Sequence, residues 1–236
     1  AVGGMWSIAV IDRASGNRLL ESEGHLERVL CVATHPDGSC VVAGDRNGRL
    51  VARDLRSGAL LANVDAHEGD VRAVAVDLEG HVFTAGADGS LARWTPALTE
   101  MWRVAAHERA VLALALSPDG EVVATASIVG GVRLWRTSDG TPVTTFTGHA
   151  GAVRALAWLG PGRLLSSGVD GTLRTWDVHA ERELTWLQAH EVPVHAVACA
   201  GARLASAGED GTLRVWDTSA LAASSGDARQ LVQPLC

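Results

Sequence analysis

Apolar residues come along this chain in short runs, each closed by a turn carrying Gly, Asp, Asn or Pro. Between positions 148 and 177 the pattern predicts three strands. An apolar run covers 153–158, Gly160-Pro161-Gly162 turns the chain, and a second run covers 163–166. A tight Asp170-Gly171 turn then leads into 172–177, which ends in Trp176-Asp177. Runs of this length bounded by Gly, Pro and Asp are strand signals, and the chain reads as all-β. Apolar and polar residues alternate poorly, as in the unbroken apolar run 111–116. Such a strand is covered on both faces of its sheet.

The same order recurs elsewhere. Around 25–66 it gives runs at 29–33, 39–43 and 50–54, with turns at Pro36-Asp37-Gly38 and Asn47-Gly48. Asn-Gly is a tight-hairpin signal because both residues tolerate positive φ, and Asp88-Gly89, Asp170-Gly171 and Asp210-Gly211 supply the same turn later. A further short strand precedes each new unit, at 60–64, 143–146 and 183–187, so each unit contributes four strands. Trp94, Trp135, Trp176 and Trp216 follow one another at 41, 41 and 40 residues, with Arg53 and Ile11 at the corresponding earlier places. His25, His67, His107, His149 and His190 keep the same beat.

A His near the start, Trp-Asp at the end and a period of about 40 to 45 residues resemble the WD40 repeat. The resemblance covers almost the whole chain. It implies a single β-propeller domain over 1–236, built of four-stranded antiparallel blades, with a partial unit at 1–24 and units at 25–66, 67–106, 107–148, 149–189 and 190–236. The expected strands number roughly 22, against the 24 of six blades or the 28 of seven. After Trp216 the next His is missing, 219–227 reads as a loop and 228–232 as one more outer strand. The chain is therefore expected to be a piece of a longer protein, such as a fragment of a seven-bladed ring, or a ring closed by sequence outside it.

Ser166, His149 and Asp170 invite a hydrolase reading, with His as base and Asp as its orienter. The resemblance implies a structural role instead, a hydrogen-bonded tetrad inside each blade. It joins His67, Thr84, Asp88 and Trp94; His149, Ser166, Asp170 and Trp176; and His190, Ser206, Asp210 and Trp216. Indole N–H to hydroxyl, hydroxyl to one ring nitrogen and the other ring N–H to carboxylate would satisfy every donor. A nucleophile is not needed three times, nor as Ser in two copies and Thr in the third, and no G-x-S-x-G elbow is present. The unit at His107 keeps Thr125 and Trp135 but has Val129 at the Asp position. The unit at His25 has Ala43, Asn47 and Arg53 in the three places.

Composition narrows the chemistry. All 20 basic residues are Arg, which removes a Schiff-base or P-loop lysine from this chain. The net charge of −7 argues against a general nucleic-acid surface. No apolar run reaches membrane-spanning length, and the apolar opening at 5–11 lacks the basic flank of a signal peptide. Four cysteines without paired spacing point to free thiols in a reducing, cytoplasmic setting. His195 and Cys199 share a strand face but lack further ligands, so no metal or cofactor is expected. The Arg two before the Trp (Arg133, Arg174, Arg214) suits packing and ion pairing at blade edges.

The resulting expectation is no enzyme but a protein-binding scaffold. Its rivals are a C-terminal regulatory module of a larger bacterial kinase- or NTPase-linked signalling protein and, behind it, a propeller hydrolase. By resemblance, partners meet the loops before the first strand and the turn before the third. On this chain that face comprises Arg28, Leu30 and Arg46; Asp70, Arg72 and Ala87; Ala110, Leu112 and Ile128; Ala152, Arg154 and Val169; and Pro193, His195 and Glu209. Four Arg against two carboxylates, with apolar members, suit an acidic or phosphorylated peptide carrying a hydrophobic anchor.

Overall fold

The computed structural model describes residues 2–3, 7–11, 14–16, 18–23, 27–217 and 234–235. The chain falls into two compact units, residues 1–116 with 137–140 and residues 117–136 with 141–236. In the first, β1 (Val2–Gly3), β2 (Ser7–Ile11) and β3 (Arg18–Glu23) form a three-stranded sheet. Two four-stranded sheets follow in chain order: β4 (Val29–Thr34), β5 (Cys40–Asp45), β6 (Arg49–Asp54) and β7 (Leu60–Asp65); then β8 (Val71–Val76), β9 (Val82–Gly86), β10 (Ser90–Trp94) and β11 (Glu100–Ala105). The unit boundary falls within the next sheet, whose order is β12 (Val111–Leu116), β13 (Val122–Ser127), β14 (Val132–Arg136) and β15 (Pro142–Phe146). The second unit continues with β16 (Val153–Gly160), β17 (Arg163–Gly168), β18 (Thr172–Asp177) and β19 (Arg182–Gln188). It ends with β20 (Val194–Ala200), β21 (Arg203–Gly208), β22 (Leu213–Asp217) and the short β23 (Pro234–Leu235). The class is all-β, with five four-stranded antiparallel blades. The expected loop at 219–227, the expected strand at 228–232 and His25 lie outside the described residues.

Bulges recur in phase. The third and fourth strands shift register at Ala52/Arg53, Arg93/Trp94, Leu134/Trp135 and Thr175/Trp176. The first and second strands shift where each blade opens, at Val29/Cys31, Val71/Ala73, Val153/Ala155 and Val194/Ala196. A bulge adds local twist, and its repetition at equivalent places repeats that twist in the blades that share it.

Apolar side chains sit between neighbouring blades of one unit, the reason for their weak alternation. Val42, Leu50 and Ala52 of one blade bury against Val71, Val82, Ala92 and Trp94 of the next. In the second unit Leu165 and Leu173 meet Val194, Leu204 and Trp216, and Phe146 stacks on Trp176 at 4.9 Å. The outermost strands β7 and β11 are half exposed, alternating along their length.

The turn reading needs correction. In the hairpins between second and third strands only the glycine takes positive φ, as in Gly48, Gly89, Gly130, Gly171 and Gly211; the Asn or Asp before it does not. Each glycine N–H bonds back to the carbonyl three residues earlier (Gly89 to Gly86 O at 3.2 Å, Gly171 to Gly168 O at 3.2 Å). This is a type I turn followed by a left-handed glycine, which places the Asp at the third turn position. A Cβ on Gly89 would come 2.3 Å from His107 O, so the glycine is required by space as well.

Candidate functional site

The turn carries the Asp to the start of the third strand, beside the His that opens the same repeat. His67 Nδ1 lies 3.1 Å from Asp88 Oδ1 and Oδ2, its Nε2 2.8 Å from Thr84 Oγ1, and Trp94 Nε1 donates to that hydroxyl at 2.9 Å. His149, Ser166, Asp170 and Trp176 repeat this, with His149 Nε2 to Ser166 Oγ at 2.7 Å and Trp176 Nε1 to Ser166 Oγ at 2.9 Å. His190, Ser206 and Trp216 do so with a longer carboxylate contact, 3.4 Å from Nδ1 to Asp210 Oδ2. In the third blade Trp135 Nε1 reaches Thr125 Oγ1 at 2.9 Å, while Val129 at the Asp place is 63% exposed.

A fifth side chain joins each complete set. Ser90, Thr172 and Thr212 sit two residues after the Asp, donate to its Oδ1 at 2.8, 2.8 and 2.7 Å, and stand 2.9, 3.2 and 3.3 Å from the His Nδ1. The same carboxylates accept backbone N–H groups, from Glu68 and Ser90 at Asp88 and from Ala150 and Thr172 at Asp170. Sequence reasoning assigned the turn to glycine and missed this hydroxyl. The signal was present as Asp-Gly-Ser or Asp-Gly-Thr in three units.

These bonds fix protonation. Burial disfavours the charged ring and lowers the pKa of His67 and His149 below the ordinary 6.5, although Asp88 and Asp170 pull the other way. Burial alone would raise Asp88 and Asp170. The N–H and hydroxyl donors around them outweigh it and hold both below the usual 3.8. A neutral ring bearing its proton on Nδ1 then gives to the carboxylate and accepts from the hydroxyl. Ser166 and Ser206 are fully buried, and their oxygens already accept the indole N–H. A hydroxyl with no solvent exposure, wedged between the imidazole and the indole, has no access to substrate, which argues against a nucleophilic role for these residues.

The proposed loop face divides. Among its positions Arg28, Arg46, Arg72, Ile128, Arg154, His195 and Glu209 are exposed; Leu30, Asp70, Ala87, Ala110, Leu112, Val169 and Pro193 are half-buried; and Ala152 is buried. The rule of three and five residues after the His therefore mixes outward side chains with packed ones. Arg72 is spent on Asp70 at 2.6 Å, and His195 faces Glu209 at 3.8 Å. Arg28, just before β4, and Arg46, just after β5, are joined by Arg46 N–H to Arg28 O at 3.0 Å and, like Arg154, have no ion-pair partner among the described residues.

Of the thiols, Cys31 is pushed up to about 12 and Cys199 to about 11 by burial, so neither is a thiolate near neutrality. Asp77, Glu79 and His81 bring ligand atoms within 4.8 Å of one another, a group the sequence reading did not pick out. Arg93 already lies against it, 3.0 Å from His81 Nδ1 and 3.5 Å from Asp77 Oδ2.

The family model described as WD domain, G-beta repeat matches residues 16–51, 58–95, 99–136, 140–177 and 181–217. The chain is 28% identical over 174 residues to a periodic tryptophan protein 2 homolog of Dictyostelium discoideum, covering 70% of this chain and 19% of that protein. It is 31% identical over 178 residues to telomerase protein component 1 of Rattus norvegicus, covering 73% and 7%. It thus spans a fifth or less of these relatives. The crystal structure of the computationally designed Ika8 protein superposes with a TM-score of 0.80 at 27% identity, over 91% of this chain and 66% of that one.

Proposed function

Because the chain belongs to the WD40-repeat family, we propose that it is a non-catalytic scaffold which binds other proteins through the loop face of its blades. The reading rests on one observation, the apolar pair Ile128 and Val129 at the β13–β14 turn, 47% and 63% exposed where three other blades carry the Asp of a buried network. An apolar pair this exposed at a turn tip gains little from folding, and exposed apolar contacts of this kind are used in partner recognition. The surface around it is continuous. A Cβ on Gly130 would lie 2.8 Å from Gly151 O, and one on Gly151 would lie 2.8 Å from Val169 Cγ2. Arg154, the second residue of β16, adds a free positive charge at the same end of the strands. Hydrophobic anchor plus arginine suit a peptide with an apolar residue flanked by acidic or phosphorylated ones. In the first unit Arg28 and Arg46 make the corresponding basic pair. The overall charge of −7 also favours protein over nucleic acid as partner. The bacterial signalling alternative draws no support from the relatives named above, which are eukaryotic proteins.

The test is affinity capture from the source organism with the parent and with Ile128→Ser/Arg154→Glu, each on phosphatase-treated and untreated extract. A partner lost with the double variant supports the face, and loss after phosphatase identifies a phosphorylated ligand. Equal capture by parent and variant removes the face.

A further inference from the structure

A concave surface lies at the other end of the first unit's strands. The β4–β5 and β6–β7 turns leave each blade opposite to the loop face, and between them and the β8–β9 turn of the next blade lies a groove of about 260 Å³. Its floor is apolar, made of Val42, Ala52 and Val82, with Leu61 at its side. Its rim carries Asp37, Asp54 and Glu79. His35 is the sole basic type in the lining; Arg56, beside Asp54, stands outside it.

The carboxylates are held ready. Asp37 uses Oδ1 for Ser39 N–H at 2.7 Å and His35 at 2.5 Å, and Asp54 uses Oδ1 for Arg56 and Ser57 N–H at 3.0 and 2.7 Å. The Ser39 hydroxyl and N–H, helped by His35, hold Asp37 below the usual carboxylate range, and Ser57 with Arg56 does the same for Asp54, while Oδ2 of each takes no hydrogen bond among the described residues. Glu79 is exposed and takes no side-chain bond among the described residues. The volume lies below the roughly 300–1,000 Å³ of small-molecule sites and suits one side chain. An occupant must lay an apolar stem on the floor and deliver positive charge to a ring of acceptors. Arginine does both, since three methylenes carry a weakly hydrated, planar, five-donor head.

We propose that this groove takes an arginine side chain of a partner protein, independently of the loop face. The test is NMR titration of the whole chain at low ionic strength with a blocked pentapeptide bearing a central arginine, against the same peptide with citrulline and with lysine. The arginine peptide should move the amides of Ser39, Cys40 and Gly80, with lysine weaker and citrulline at least tenfold weaker. Glu79→Arg should weaken arginine binding about tenfold, and Leu61→Ala about threefold, both at unchanged melting temperature because each side chain is exposed. Equal binding of citrulline, shifts confined to other residues, unaltered affinity in Glu79→Arg, or no shift at millimolar peptide would each overturn the assignment. None of these outcomes touches the loop face, whose variants lie in the second unit.

Discussion

Two adjacent blades of the first unit reach the same backbone by different means. In the blade β8–β11 the segment before the first strand, the second strand, the turn and the third strand are tied together through His67, Thr84, Asp88, Ser90 and Trp94. In the blade β4–β7 the matching places hold Ala43, Asn47, Arg49 and Arg53. There the turn is held by Asp45, almost wholly buried, whose Oδ1 accepts the N–H of Asn47 and Arg49 at 3.0 Å each. Arg53, in the Trp place, donates instead to Gly58 O at 2.8 Å. The fold thus requires an acceptor for the turn N–H groups and a filled inter-blade core, and the buried network is one way to supply them. Asp45 stands where the complete blades have Gly86, Gly168 and Gly208. A Cβ at those glycines would lie 2.5, 2.7 and 2.4 Å from the His ring, so the glycine is what admits the imidazole.

The sharpest way to break the contrast is Gly86→Ala. The added carbon would meet His67 Cγ and Nδ1 at 2.5 Å and Asp88 Oδ1 at 2.9 Å, in a ring too buried to move aside. Overpacking compounded by loss of the network should cost about 3 kcal/mol or more. Asp45→Ala, at the same place in the other blade, removes the acceptor of the Asn47 and Arg49 N–H groups without overpacking and should cost about 1–2 kcal/mol. Urea unfolding compares them. A Gly86→Ala loss no larger than that of Asp45→Ala would mean the glycine does not make room for the ring.

A smaller effect separates a carboxylate inside a network from a side chain outside one. Asp170→Ala strips acceptors from His149, Thr172 and the N–H of Ala150, and should cost about 2–3 kcal/mol. Val129→Ala, at the equivalent exposed place, should stay within about 0.5 kcal/mol. Denaturation of both variants decides it, and equal losses would sink the network as a source of stability.

How much of this could be read from sequence follows from residue rarity. Trp and His are scarce enough that a ruler finds Trp94, Trp176, Trp216 and their partner histidines, and with them the blades. Gly86 and Ser90 were invisible to the same ruler because Gly and Ser already had an explanation in turn chemistry. Asp45 was missed because it sits two residues before the position the pattern assigns to Asp. The exposure of loop-face side chains was the least legible. Ala152 and Arg154 are two apart, yet the first, just before β16, is buried and the second, at the register shift that opens the blade, is in solvent.

Acid should act on the complete blades. His67 and His149 titrate below their ordinary 6.5 in the folded chain, so as pH falls the unfolded chain takes up protons first. Their contribution is whole above about 6.5 and is lost progressively below it. A second loss begins below about 3.8, as Asp88, Asp170 and Asp210, the last held at about 2, are protonated. The urea midpoint should drop between pH values of about 7 and 5. A flat profile over that range would refute neutral, buried rings.

The finest distinction concerns the fifth side chain. Thr172→Val keeps shape at a buried site and deletes only the hydroxyl that donates to Asp170 Oδ1 at 2.8 Å and sits 3.2 Å from His149 Nδ1. The backbone N–H of Thr172 still caps the same carboxylate at 3.1 Å, so the loss should be modest, about 1 kcal/mol. Because the hydroxyl acts through Asp170, the cost should shrink toward zero in an Asp170→Ala background, giving a coupling of about 0.5–1 kcal/mol in a double-mutant cycle. In the blade β4–β7 the equivalent residue is Arg49, with Asn47 rather than Asp two residues before it. Arg49→Thr there finds no histidine–carboxylate pair to bridge and should bring no gain. An additive cycle at Thr172, or a stabilising Arg49→Thr, would show that the hydroxyl serves the strand rather than the network.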